Sequence, residues 1–91
     1  MFKKGRKKDT VRFVYTPQNG AKTVMLAGDF NEWEPKRMTK QKNGSFALTV
    51  PLEPGTYQYK YKVDDDWYLD PDIQNNTVNE FGTLNSLAEV D

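Results

Sequence analysis

Ninety-one residues, 36% of them hydrophobic and 13% aromatic, suffice for one small domain around a single core and leave no material for a second. With neither cysteine nor histidine, the chain has no disulfides, no thiolate chemistry, and lacks the commonest metal ligand and general base. Net charge is zero but unevenly spread: Lys3, Lys4, Arg6, Lys7 and Lys8 crowd the first eight residues, leaving eight basic against 13 acidic residues beyond them, which argues against nucleic acid as a partner of the folded body.

The opening "MFKKGRKKDT" reads as a flexible basic arm over residues 1–9, followed by a domain over 10–91. No apolar run stands behind the arm, and no window approaches the roughly 18 apolar residues of a membrane span, so a cytoplasmic protein without a signal peptide is expected. Beyond the arm, "VRFVYTP" places Val11, Phe13 and Tyr15 on one face, "TVMLAGDF" places Val24 and Leu26, and "SFALTVPL" sets Phe46, Leu48 and Val50 opposite Ala47 and Thr49. The strictest alternation is "TYQYKYKV", with Tyr57, Tyr59, Tyr61 and Val63 on one face and Gln58, Lys60 and Lys62 on the other. The turn-rich segments "TPQNGAK", "NGS", "PLEPGT" and "VDDDW" separate these runs, and "LNSLAEV" reads as a last strand. No helical stripe is present, so the expected fold is an all-β antiparallel sandwich of six to eight short strands.

Catalysis finds little support. "VDDDWYLDPD" gathers Asp64, Asp65, Asp66, Asp70 and Asp72, but neighbouring turn positions point in different directions and the flanking sequence promises no burial to raise a carboxyl pKa. An EF-hand counted from Asp64 fails, because Leu69 stands where the loop needs Gly and Asn75 where it needs a bidentate Glu. No cofactor and no metal are expected.

What remains is a binding surface of aromatic planes and a few hydrogen-bonding side chains. A sugar ring has an apolar C–H face that a flat indole can cover and a rim of hydroxyls that Lys, Asn or Thr can bond. Trp33 in "AGDFNEWEP" and Trp67 after "DDD" lie in or beside turns, which suits exposure, although tryptophan is usually well buried and composition alone leaves both placements open. If the Tyr57 strand turns its tyrosines inward, Lys60 and Lys62 must face out.

The segments "VRFVYTP", "TVMLAGDFNEWEP", "GSFALTVPLEPGTYQYKYKVDDDWYLDPD" and "FGTLNSLAEV", in that order, resemble family 48 carbohydrate-binding modules and, within them, the glycogen-binding domain of AMP-activated protein kinase β subunits. The resemblance implies an immunoglobulin-like β-sandwich that binds α-1,4-linked glucans without catalysis. By position it makes Trp33 the first stacking tryptophan with Lys60 the lysine beside it, Trp67 the second stacking tryptophan, Phe81 an apolar wall in place of a leucine, and Thr83 and Asn85 partners of sugar hydroxyls. Phe30 is expected in the core, with Asp29 and Asn31 as turn-formers. The expected partners are an α-glucan and a glucan-active enzyme or kinase-like protein. A contrasting expectation is a module that docks on such a partner and binds no sugar.

Overall fold

A strand that is apolar on one face must bury that face, and two such sheets do so against each other. The computed structural model describes residues 1–18 and 20–91 and shows this arrangement. One sheet has the order β1 (Phe2–Lys4), β2 (Thr10–Tyr15), β6 (Phe46–Pro51), β5 (Thr39–Lys40). The other runs β4 (Lys36–Arg37), β3 (Val24–Gly28), β7 (Gly55–Val63), β10 (Leu84–Val90), β9 (Asn76–Val78), with β8 (Asp66–Tyr68) continuing the β10 side of β7. Every pairing is antiparallel, as the sandwich expectation requires. The strands number ten among the described residues, against six to eight expected, because five of them are only two or three residues long. Pairings that short have no periodicity to read.

The inward faces follow the alternation. Val11 and Phe13 of one sheet meet Val24, Leu26, Tyr59 and Tyr61 of the other, all buried. The Phe13 and Tyr59 rings meet edge-on at 5.0 Å, and Phe30 packs against Phe13 at 5.3 Å, which places it at the core as expected. "LNSLAEV" is strand β10, and Ser86 and Ala88 are its fully buried residues. The "TPQNGAK" turn includes Asn19, which lies outside the described residues.

Two expectations are corrected. The arm is a strand over Phe2–Lys4, in register with β2 at Phe2 opposite Phe13, because Phe2 is apolar and sets its ring against Phe13 (6.0 Å) and Tyr59 (6.1 Å). Phe2 is partly buried, so its apolar contact contributes less than the roughly 1.5–3 kcal/mol of a fully buried ring, and the strand is held by that contact together with its pairing to β2. Asp70 is the second: its carboxylate is buried, although the sequence promised no burial for that cluster. It accepts the Tyr59 hydroxyl at 2.7 Å, the Tyr61 hydroxyl at 3.3 Å and the Asp72 N–H at 3.0 Å, and it also contacts the Met1 amino nitrogen. Its own N–H donates to Ser86 Oγ at 2.8 Å. Asp70 is therefore a structural anchor.

Two more residues of the acidic cluster form a turn. Asp64 and Asp65 both take positive φ, +45° and +78°, the backbone of a two-residue type I′ hairpin that folds β8 back on β7. The Asp64 carboxylate accepts the Thr23 N–H at 2.9 Å and the Lys22 N–H at 3.1 Å, tying the hairpin to the start of β3. The Thr23 bond, helped by Lys22, holds the Asp64 carboxyl below the usual aspartate range despite the opposing effect of desolvation. A carboxyl depressed on folding stabilises above its unfolded pKa, and that contribution disappears as pH falls through the folded value. Asp64→Asn, which keeps the turn-forming shape, is expected to flatten the acid side of the stability profile in denaturant titrations at a series of pH values. An unchanged acid slope would remove Asp64 from that role.

Candidate carbohydrate-binding site

The outward face of the six-stranded sheet carries the residues that alternation excludes from the core: Gln58 and Lys60 on β7, Trp67 on β8 and Asn85 on β10. Two loops rise at its margins. One is the turn after β3, the other the hairpin joining β9 to β10. Together they enclose a groove of about 590 Å³. All six residues singled out in the sequence, Trp33, Lys60, Trp67, Phe81, Thr83 and Asn85, line it. So do Asp29, Gln58, Val78, Asn79 and Glu80, to none of which the sequence gave a place in the site.

Trp33 is held there by a strained turn. Gly28 ends β3 in an extended conformation with no room for a side chain: a Cβ would lie 2.6 Å from the Gln58 carbonyl oxygen and 2.7 Å from the Phe30 ring. A single 3-10 turn, Asp29–Asn31, follows, and then Glu32 (φ +56°) and Trp33 (φ +60°) both adopt the left-handed conformation. For residues with a Cβ this costs about 1–2 kcal/mol each, so the surroundings must enforce it. The Trp33 N–H donates to the Gly28 carbonyl (2.9 Å), and the Asn31 side chain accepts the Gly28 N–H (3.0 Å) and donates to the Leu26 carbonyl (3.1 Å). Asp29 fixes the ring itself: one oxygen accepts the Trp33 indole N–H at 3.0 Å and the other the Gln58 N–H at 2.8 Å. Asp29 and Asn31 are turn-formers as read, and Asp29 also positions the indole. The outcome is a half-buried ring at the groove edge.

Trp67 arises differently. The Asp64–Asp65 turn places it opposite Lys62 on β7, where it remains 46% exposed. The Lys62 ammonium stands 5.7 Å from the ring centroid, within cation–π range, and Lys60 lines the groove.

The second loop is a hairpin organised by Asn79. The Gly82 N–H donates to the Asn79 carbonyl (3.0 Å), and Gly82 takes φ +80°, giving a turn that glycine alone adopts without strain. The Asn79 side-chain oxygen accepts the Phe81 N–H (2.9 Å) and the Thr83 N–H (3.2 Å), and its amide nitrogen donates to Thr83 Oγ1 (2.7 Å) and Asn85 Oδ1 (3.1 Å). Asn85 in turn donates to Gln58 Oε1 at 2.9 Å. Phe81 is thereby held 82% exposed at the tip, and Asn85, 4% exposed, forms the groove floor. The "NEFG" spacing, an Asx-turn asparagine three residues before a glycine, was the available signal for Asn79. Asn79→Ala is expected to cost about 1–2 kcal/mol of stability, from lost exposed loop bonds, and to loosen Phe81 and Thr83. Amide exchange of residues 79–83, which should accelerate, checks it.

Residues 10–91 match the family described as the glycogen recognition site of AMP-activated protein kinase. The chain belongs to that family. It is a carbohydrate-binding module with a β-sandwich fold, similar to 5'-AMP-activated protein kinase subunit beta-1 of Homo sapiens, 34% identical over 85% of this chain and 28% of that protein. It is also similar to the chloroplastic Protein PTST homolog 2 of Arabidopsis thaliana, 44% identical over 58% of this chain and 10% of that one. Among solved structures, a maltogenic amylase from S. marinus superposes over the whole module with a TM-score of 0.82 at 25% identity, covering 16% of the amylase chain. A putative alpha amylase from Salmonella typhimurium superposes with a TM-score of 0.70 at 27% identity over 97% of the module and 14% of that chain. The module therefore spans a small part of the length of each relative. Among its described residues, no helix is long and apolar enough to cross a membrane.

Proposed function

We propose that the groove holds an α-1,4-linked glucan, a stretch of glycogen, starch or maltooligosaccharide, without chemically changing it. Glucose units stack on Trp33 and Trp67, Phe81 closes the side, and Lys60, Thr83 and the remaining amide capacity of Asn85 and Gln58 bond hydroxyls. The observation that carries the reading is convergence: six side chains spread from residue 33 to residue 85 line one groove, three of them aromatic. Against catalysis stands the state of the carboxylates. Asp29 has both oxygens engaged by Trp33 and Gln58, leaving Glu80 alone in the groove with no partner to divide acid and base roles.

Ring stacking at about 1–3 kcal/mol per plane, less several for association, gives a dissociation constant in the micromolar to millimolar range. Titration with maltoheptaose should change tryptophan fluorescence and saturate in that range. Fluorescence that stays constant through millimolar sugar contradicts the stacking. Because relatives carry such modules within longer chains, the glucan is expected to be presented to a glucan-active enzyme or kinase-like partner.

A further inference from the structure

The outer face of the other sheet carries a second groove, of about 770 Å³, built on different principles. Val11 and Phe13 point to the core, so Arg12 between them points out. Lys3 stands directly opposite Arg12 in the β1–β2 register, and Thr49 of β6 continues the same row. Lys4, Arg6 and Lys7 complete a lining of five cations, with no carboxylate and no aromatic ring among the lining residues. Asp9 and Asp91 line an adjoining recess that shares Lys4, Arg6 and Lys7 with this groove, which leaves Lys3 and Arg12 as the cations with no carboxylate in the same lining. No Lys or Arg is ion-paired among the described residues.

Like charges set directly opposite across two strands oppose the pairing that holds the strands together. Lysines on an exposed edge strand guard it against unwanted pairing, which accounts for Lys3 and Lys4 on β1 but not for Arg12, which lies on the interior strand β2. An uncompensated row of this kind is what an anionic ligand would relieve. Its form is constrained by the rest of the molecule. A single phosphate would engage only part of so extended a lining. A single-stranded nucleic acid needs aromatic planes that the groove lacks, and any long polyanion running past it meets a body with an excess of acidic residues. A short acidic polypeptide segment can engage the Lys3–Arg12 row without crossing the rest of the acidic body.

We infer that this groove docks an acidic segment of a partner protein, on the sheet opposite the glucan groove, so that both faces can be occupied together. The inference stands whether or not the first groove holds glucan.

The test is fluorescence anisotropy with a labelled decaglutamate peptide at low and physiological salt, with oligothymidylate as competitor. The peptide should bind at low salt, weaken steeply as salt rises, and lose roughly tenfold or more in affinity in the Lys3→Glu, Arg12→Glu variant, with amylose retention unchanged. Lys3→Thr should weaken the peptide and raise Tm, because it removes the like-charge pair while keeping a good strand former. Absence of peptide binding at low salt, an unchanged affinity in the charge-reversed variant, displacement by oligothymidylate at lower concentration than by free peptide, or a fall in Tm for Lys3→Thr would each overturn the assignment.

Discussion

Asp70→Ala is expected to lower the unfolding free energy by about 3–5 kcal/mol, the loss typical of removing one partner from a buried charged network. The substitution leaves the Tyr59 hydroxyl and the Asp72 N–H without their acceptor and the Met1 amino group without its carboxylate, in a site where Asp70 is 2% exposed, while the Tyr61 hydroxyl keeps the Met1 and Val14 carbonyls at 3.3 and 3.4 Å. Those hydroxyls cannot adapt by ionising. Burial first, and then the Asp70 carboxylate, drive the Tyr59 and Tyr61 pKa values far above the ordinary tyrosine range, and burial persists when Asp70 is removed. For a domain of this size the loss is a large share of total stability. Urea denaturation should show a midpoint displaced to low denaturant, with Asp70→Asn intermediate because it retains one acceptor oxygen. A change under about 1 kcal/mol would mean that water replaces the carboxylate, and that Asp70 does not anchor the sandwich.

Removing the tryptophans should do the reverse, sparing the fold and removing the ligand. Trp67 is 46% exposed on a three-residue strand, and its truncation loses few buried contacts. Trp67→Ala is expected to weaken glucan binding by about 1–3 kcal/mol, roughly five- to 150-fold, with stability changed by under about 1 kcal/mol. Trp33→Ala should weaken binding comparably, and its stability outcome is informative in its own right. The left-handed backbone at Glu32 and Trp33 is strain that the turn sustains, and alanine at Trp33 keeps that strain while losing the indole bond to Asp29. Trp33→Gly, which adopts φ +60° freely, should therefore be more stable than Trp33→Ala by about 0.5–1 kcal/mol while binding no better. Equal stability would show that the turn is not strained.

β2 and β7 were legible because each alternates over five or more residues and the structure buries the face that alternation marked, whereas β6 and β10 bury adjacent residues, Phe46 with Ala47 and Asn85 with Ser86. "TYQYKYKV" alone settles which way Lys60 and Tyr59 point. That Trp33 and Trp67 line one groove follows the expectation from family resemblance, since nothing in "AGDFNEWEP" says by itself that its tryptophan lines a groove. What escaped the reading depends on distant partners. Phe2 looked like a stray aromatic among lysines because its anchors, Phe13 and Tyr59, lie 11 and 57 positions away. Asp70 looked like one more residue of an acidic turn, since its burial requires β7 and β10 to close over it. Asp29, Gln58 and Asn79 act by holding other side chains, and such roles appear only when register brings residue 58 beside 29 and 85. Lys62 was visible as an outward lysine, but its pairing with Trp67 follows from the tight Asp64–Asp65 turn.

On the proposed function, Trp33 and Trp67 act as two planes of one glucan site. Affinity electrophoresis through amylose-containing gels, comparing the native chain with Trp33→Ala, Trp67→Ala and the double variant, tests it most directly. Marked retardation of the native chain, reduced in each single variant and abolished in a double variant that still unfolds cooperatively, is the predicted result. Equal mobility of the native chain with and without amylose, or retardation that survives loss of both rings, would contradict it.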